Sequence, residues 1–590
     1  MKESPEFLPV SMKEMRRIGW QELDILLVTG DAYVDHPSYG AAVIGRILLD
    51  EGFRVGIVAQ PDWKNPESLK VMGTPRLACA VTSGNMDSMV NIYTAGRRLR
   101  REDMYSPGGK AGLRPPHALV VYSQLARRAF PGLPVVVGGM EASMRRIAHY
   151  DYWQDKIRPT ALLDSKADIL VYGMGERAIR EIFKRISRNE NLAGIKGTAR
   201  LLGKKAAEQF ELTDKFVELP SFEEVSSNRD AIMEATIIAE REMNPFCARG
   251  LVQKCGDRLL VVESPAEPLD TDAIDKVYSL PFGMRPHPSI KERIPAYEAI
   301  KNSIPAVRGC PGGCSFCGLV AHQGKFITSR SHESVVKDVE RLKGLSTFRG
   351  TVSDIGGAAG NIYGSGSRDM EKCKKCRRPS CLFPEICSNY RVDEQSLIQL
   401  LRKVRNIDGV KHVHINSGIR LELALRQKEL SREIVQHHVS GHMKVAPEHL
   451  HPQVLKYMRK NPAEDFYKFA EFFYDESKKA GKEQYLIPLF ISNFPGCTEE
   501  EMKVVDDFLT AKNWSPQQVQ DYIPLPMTMA AAMYYCGKAP DGATIPVNRG
   551  LKERRPQINV LKRKRSRGSD QPRRNDGVGN SGGRPDRRRR

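Results

Sequence analysis

The chain has 590 residues, 41% apolar and 27% charged, with a formal charge of +20. That balance belongs to soluble globular proteins, and the length admits two or three domains. No run of about 18 apolar residues could span a bilayer, and the polar start M-K-E-S-P-E lacks the basic-then-apolar order of a secretory signal. A cytoplasmic enzyme is therefore expected.

Residues 23–60 alternate an apolar run (L-D-I-L-L-V-T-G), a turn from Asp31 to Tyr39, a helical period (A-A-V-I-G-R-I-L-L-D-E) and a second apolar run (F-R-V-G-I-V-A-Q). This is the βαβ pattern of a parallel sheet. Further apolar runs at 118–123, 134–139 and 167–173 extend it to an α/β, doubly wound domain over residues 1–200, with ligand loops at the strand carboxyl ends. The segment V-G-G-M-E-A-S (137–143) resembles the flavodoxin-like, cobalamin-binding domains. Those that hold cobalt through histidine carry Asp-x-His-x-x-Gly, whereas here Asp35 and His36 are adjacent and Gly40 lies four beyond. Bound cobalamin is therefore not expected, and His36 reads as a turn or substrate-side residue.

Residues 201–290 are charged and mixed, with helical periodicity near 226–242, and read as a linking region. From 291 to 556 strand and helix alternate again. Six strand candidates appear: S-I-P-A-V-R-G, G-T-V-S-D-I-G-G, V-K-H-V-H-I-N-S, H-M-K-V-A-P, Y-L-I-P-L-F-I-S and V-Q-D-Y-I-P. Six strands with intervening helices predict a partial (β/α)6 barrel whose chemistry lies at the strand carboxyl ends. Residues 557–590 are rich in Arg, Gly, Ser, Asp and Pro and poor in large apolar side chains, so a disordered basic tail is expected. From Lys562 onward twelve Lys plus Arg face three Asp, a net +9, leaving +11 for the rest. The remainder is basic enough for an acidic partner such as RNA through counterion release, and the tail reads equally as a solvated segment that aids solubility or as an attraction for RNA or the ribosome.

Seven of the twelve cysteines lie between Cys310 and Cys387, which points to metal or cluster ligation in a reducing compartment rather than to disulfides. After the first strand of the second half comes R-G-C-P-G-G-C-S-F-C-G-L. Its Cys310, Cys314 and Cys317 form a C-x3-C-x2-C run among glycines. Three thiolates can hold a four-iron cube by three irons and leave the fourth open. A structural zinc ion would want a fourth ligand, for which His322 is the nearest candidate. A second set, Cys373, Cys376, Cys381 and Cys387, supplies four ligands in fifteen residues, enough for structural zinc or for an auxiliary iron-sulfur cluster.

The triad, its glycines and Phe316 resemble the signature of the radical S-adenosylmethionine (SAM) superfamily. The order of H-Y-D-Y-W (149–153), Y-G-M-G-E (172–176) and V-Q-D-Y-I-P-L-P-M-T with A-M-Y-Y-C-G (519–537) resembles its YgiQ family. The resemblance implies a 4Fe-4S cluster on Cys310, Cys314 and Cys317, with SAM on the open iron as cofactor or cosubstrate. Cleavage of SAM would give a 5'-deoxyadenosyl radical for hydrogen abstraction, driven by an electron donor such as flavodoxin or ferredoxin. Gly356 and Gly357 match the superfamily's glycine turn for the SAM amino group, although Ala358 stands where an acidic residue usually follows. Ser417 and Arg420 are candidates for the SAM ribose or carboxylate. Lys444 and Glu448 are expected to face the barrel interior, with Glu448 counted among the cofactor-binding residues. Likeness to methylthiotransferases, joined to the basic charge, suggests RNA or a ribosomal protein as substrate. The alternative expectation is a non-enzymatic, zinc-stabilised RNA-binding protein.

Overall fold

The computed structural model describes residues 5–565. Its first half is built on a nine-stranded sheet. Five parallel strands, in spatial order Val55–Ala59, Ile25–Thr29, Ala78–Thr82, Val135–Gly138 and Ile169–Val171, form its centre. The strand Ile25–Thr29 is buried at every position, as a parallel strand covered on both faces requires. The helix Gly40–Asp50 packs on one face through Val43, Ile47 and Leu48, which recur at helical spacing. This is the doubly wound order expected from the sequence, and its direction of winding reverses between Ile25–Thr29 and Ala78–Thr82.

Two readings are corrected. The apolar run at 118–123 is not a strand but the start of the helix Ala118–Ala129, which buries Leu119, Tyr122, Leu125, Ala126 and Ala129. The missing strand is Ala78–Thr82. Residues 201–290, read as a link, supply three strands to the same sheet: Phe216–Glu218, Gly250–Cys255 and Arg258–Val262, reached through the antiparallel Thr198–Leu202. The helix foreseen near 226–242 forms over Arg229–Arg241.

In the second half all six strand candidates contain strand, and they pair in parallel in chain order. Ser303–Pro305 pairs with Asp354–Gly356, and Thr351–Val352 with His412–Val413; a single bridge joins Ile419 to Val445. His442–Glu448, Tyr485–Ser492 and Gln520–Asp521 complete the series. Helices lie between them, among them His332–Lys343, whose Val335, Val339 and Leu342 are fully buried, and Glu499–Ala511, opened by a Thr498–Glu501 capping box.

One apolar core joins a face of the first sheet to the second half, and a second core lies on the sheet's other face. The basic tail does not begin at 557: the helix Leu551–Lys562 runs through Pro556 and buries Arg554, Gln557 and Leu561, with Arg554 paired to Asp521 at 2.9 Å. From residue 566 the tail lies outside the described residues. Among the described residues no helix is long and apolar enough to cross a membrane.

Candidate functional site

The triad loop leaves the carboxyl end of the first strand of the second half. Its base is closed by antiparallel pairing of Val307–Arg308 with Thr328–Ser329. Gly309 sits at φ +86°, where a side chain would collide with the carbonyl of Phe326; only glycine allows that approach. The loop is then pinned by Cys310 N–H to Gly324 O at 3.1 Å, and by Ser315, whose N–H reaches Met458 O at 3.1 Å and whose hydroxyl reaches Tyr457 O at 2.7 Å. Cys310 is buried, and Cys314 and Cys317 are half-buried; none is in a disulfide. Burial raises the thiol pKa of Cys310 and pushes that of Cys317 up to about 12, and the neighbouring thiols add to the rise. Arg420 works against it, with Nη1 3.8 Å from Cys314 Sγ.

The other expected site residues come to the same place, with one exception. Arg420, half-buried, is ion-paired with the buried Glu422. Burial alone would raise the carboxyl pKa of Glu422, but Arg420 and then Lys460 hold it below the usual range. Gly356 and Gly357 end their strand in backbone contact so close that a side chain would strike Ser417 at the first and the Val307 carbonyl at the second. Ser417 donates its hydroxyl to Asp354 at 2.5 Å, and Asp354 also accepts the N–H groups of Asn416 and Ser417 at 2.8 and 3.1 Å. Burial raises the Asp354 pKa despite those bonds.

Glu448 is buried at the end of its strand with φ +66°, a conformation that costs a non-glycine residue about 1–3 kcal/mol. Its Oε2 has no hydrogen-bond partner among the described residues, and burial raises its pKa. Lys444, by contrast, is exposed, so the expectation of an inward lysine is corrected: His442, Lys444 and Ala446 lie on the more open face of the strand, Met443 and Val445 on the buried one. Asp354 and Glu422 were missed by sequence reasoning. Asp354 lies within the glycine-turn segment and Glu422 two residues past Arg420, but a lone carboxylate announces nothing until its partner is placed.

These residues fit an iron-sulfur cluster with a chelated sulfonium ligand. Three thiols stand on one loop, a cation lies at the sulfur, two glycines admit close backbone, and one buried carboxylate oxygen is unanswered. Among the described residues no three His, Cys, Asp or Glu side chains gather tightly enough for a single metal ion. His322 turns away from the sulfurs, its Nδ1 2.9 Å from Ser143 Oγ, and burial holds its pKa down to about 4. It borders a cleft between the first sheet and the helix Leu319–Gln323, lined also by Arg146, Tyr172, Glu176 and Arg308.

At the first sheet's own crevice, where its winding reverses, buried charges are paired with one another. Asp31 is paired with Arg114 at 2.7 Å, and Arg114 with Asp103 at 3.2 Å and with the Ser83 carbonyl at 2.5 Å, all buried. His36 is a turn residue as expected, fully buried; its Nδ1 accepts the N–H of Ser38 at 3.1 Å.

Residues 7–303 match the radical SAM N-terminal family. A UPF0313 protein of Geobacter sulfurreducens is 48% identical over 94% of this chain and 92% of its own length. One from Rhodopseudomonas palustris is 44% identical over 93% and 85%. Among solved structures, the radical SAM methyltransferase TsrM from Kitasatospora setae, with cobalamin and a [4Fe-4S] cluster bound, aligns at TM-score 0.48 and 16% identity over 86% of this chain and 76% of its own. With relatives this similar along nearly its whole length, the chain belongs to the UPF0313 (YgiQ) family of radical SAM enzymes.

Proposed function

We propose that the chain holds a four-iron cluster through Cys310, Cys314 and Cys317, binds SAM at the fourth iron, and generates a 5'-deoxyadenosyl radical to abstract hydrogen from a substrate. The observation that carries this reading is the thiol triad on a glycine-shaped loop at the strand carboxyl ends, beside Arg420 and the unsatisfied Glu448. Family membership sets aside the alternative of a non-enzymatic zinc protein. When bound, the cluster supplies one electron that splits the sulfonium of SAM into methionine and the radical.

The chain's own part is to bind, orient and exclude water. Ionising three thiols in a buried loop is unfavourable, and the permanent charge of Arg420 near Cys314 offsets it. The backbone at Gly356 and Gly357 is assigned the amino group of SAM. Ser417 has its proton committed to Asp354, so only its lone pairs remain for a ribose hydroxyl. Arg420 is assigned the carboxylate, and Glu448, with one free oxygen, a donor group of the ligand. The barrel-like second half carries these residues, and the first half packs on the helix Leu319–Gln323 that follows the triad. Excluding water protects a primary carbon radical from side reactions. Flavodoxin or ferredoxin would serve as reductant, and RNA or a ribosomal protein, drawn by the basic charge, as substrate.

The test is anaerobic incubation with SAM and dithionite. Wild type should release 5'-deoxyadenosine, and Cys314→Ala should release none while losing iron. Iron-loaded wild type that leaves SAM intact would overturn the reading.

A further inference from the structure

The second cysteine set is not used by the radical chemistry above, yet it is built against it. Cys381 N–H donates to Pro311 O at 2.9 Å, and the Ser380 hydroxyl to Gly312 O at 2.6 Å. A side chain at Gly313 would lie 2.5 Å from the carbonyl of Pro379. The loop bearing the four cysteines is thus seated, backbone on backbone, on the loop bearing the three.

Little in this segment explains its order. Between Glu371 and Asn389, Leu382 is the one fully buried apolar side chain, while fixing each residue costs about 1–2 kcal/mol of entropy. Its carbonyls are held from outside. Asn244 Nδ2 donates to those of Cys373, Lys374 and Cys376 at 3.0, 3.2 and 2.8 Å, and Lys325 Nζ to those of Cys376 and Arg378 at 3.1 and 2.9 Å. All four thiols are half-buried and unlinked.

The surroundings suit negative sulfur. Asn389 Nδ2 and Ser367 Oγ both donate to Cys373 Sγ, each at 3.1 Å, and hydrogen bonds to sulfur are a main control of iron-sulfur sites. Lys372, Lys374, Lys375, Arg377 and Arg378 outnumber Glu371 and Glu385 within the segment. Lys372, Lys374 and Arg377 are paired with Asp369, Glu371 and Glu242, which leaves Lys375 and Arg378 as the segment's cations without an ion pair among the described residues. Cys381 lies within electrostatic reach of Cys373, Cys376 and Cys387. The four are therefore neighbours on one loop.

We propose that Cys373, Cys376, Cys381 and Cys387 hold a second, four-iron cluster seated against the loop of the first. The inference deepens the reading of the site but does not need SAM cleavage to be correct.

The experiment is metal and sulfide analysis of full-length protein reconstituted anaerobically with ferrous iron and sulfide. Three proteins are compared: wild type, Cys310→Ala/Cys314→Ala/Cys317→Ala, and Cys376→Ala/Cys381→Ala. The expected result is about eight irons per wild-type chain and about four in each variant. The dithionite-reduced electron paramagnetic resonance signal of the triad variant should be indifferent to SAM, whereas that of the second-set variant should shift on adding it. About four irons in wild type would overturn the proposal with no variant needed, so a misfolded variant cannot shelter it. One zinc per chain that survives in the triad variant would overturn it equally. Release of 5'-deoxyadenosine is measured apart from this count, so the two readings fail separately.

Discussion

The carboxyl-terminal edges of the two parallel sheets are made from similar residues and end in opposite electrostatic states. At the first sheet, Asp31, Arg114 and Asp103 answer one another, and beside them Arg145 is bonded to Asp87 at 2.8 Å and to Asp151 at 3.1 Å, all buried. At the second, a strained Glu448 keeps a carboxylate oxygen unanswered, and Arg420 divides its guanidinium between Glu422 and a cysteine sulfur. A buried charge with its partners inside the chain has nothing left for a ligand. One without them marks a place where a ligand completes the set.

The comparison breaks most readily at Arg114. Replacing it with Met leaves Asp31 and Asp103 buried without their cation, and loss of one partner of such a pair costs about 3–5 kcal/mol. Urea melting should show that loss in Arg114→Met, while the folded fraction keeps its iron. A variant as stable as wild type but deficient in a bound small molecule would mean that the first edge is a binding site after all.

At the second edge the opposite pattern is expected. Glu448→Gln keeps the shape and removes a buried carboxylate whose burial outweighs the attraction of Lys460 and Arg420, so stability should hold or rise slightly. Affinity for SAM, measured by equilibrium dialysis on iron-matched samples, should fall about tenfold, or about 1.4 kcal/mol. Unchanged affinity with lowered stability would make Glu448 a structural residue and erase the contrast.

Much of this contrast could be read from the residues in order, and the unread part has a physical pattern. The triad is local: its chemistry lies in spacing within eight residues, so no tertiary knowledge is needed. The six later strands were legible because each is a short apolar run between helical periods. Ala118–Ala129 misled for the same reason, since A-L-V-V-Y-S is apolar enough for a buried strand and a buried helix alike, and only the recurrence of Leu125, Ala126 and Ala129 decides it. The strands Gly250–Cys255 and Arg258–Val262 carry Lys254 and Arg258 at the hairpin end, which made a charged segment look like a linker. Asp354 and Glu422 were invisible for a different reason: a carboxylate gains its meaning from burial and from what lies opposite, and both are properties of the folded chain.

The finest test of the distinction is a titration. His36 lies in the first half, enclosed, with no charged neighbour contributing to its shift; burial alone lowers its pKa from 6.5 to about 3. Because Nδ1 accepts the Ser38 N–H, the neutral ring carries its proton on Nε2, which has no partner among the described residues. The sign follows from linkage. Between pH 6.5 and 3 the unfolded chain binds a proton that the folded one refuses, so stability is undiminished above pH 6.5 and falls as the pH drops below it. One such proton steepens the fall by at most about 1.4 kcal/mol per pH unit. His149 and His449, held near 3 chiefly by burial, add to the slope in wild type and variant alike. Urea midpoints of wild type and His36→Gln should therefore run parallel from pH 8 to 6.5 and diverge below it, with wild type falling faster. Curves that stay parallel to pH 5 would show that His36 finds a partner for its added proton in the folded protein, contrary to its observed enclosure.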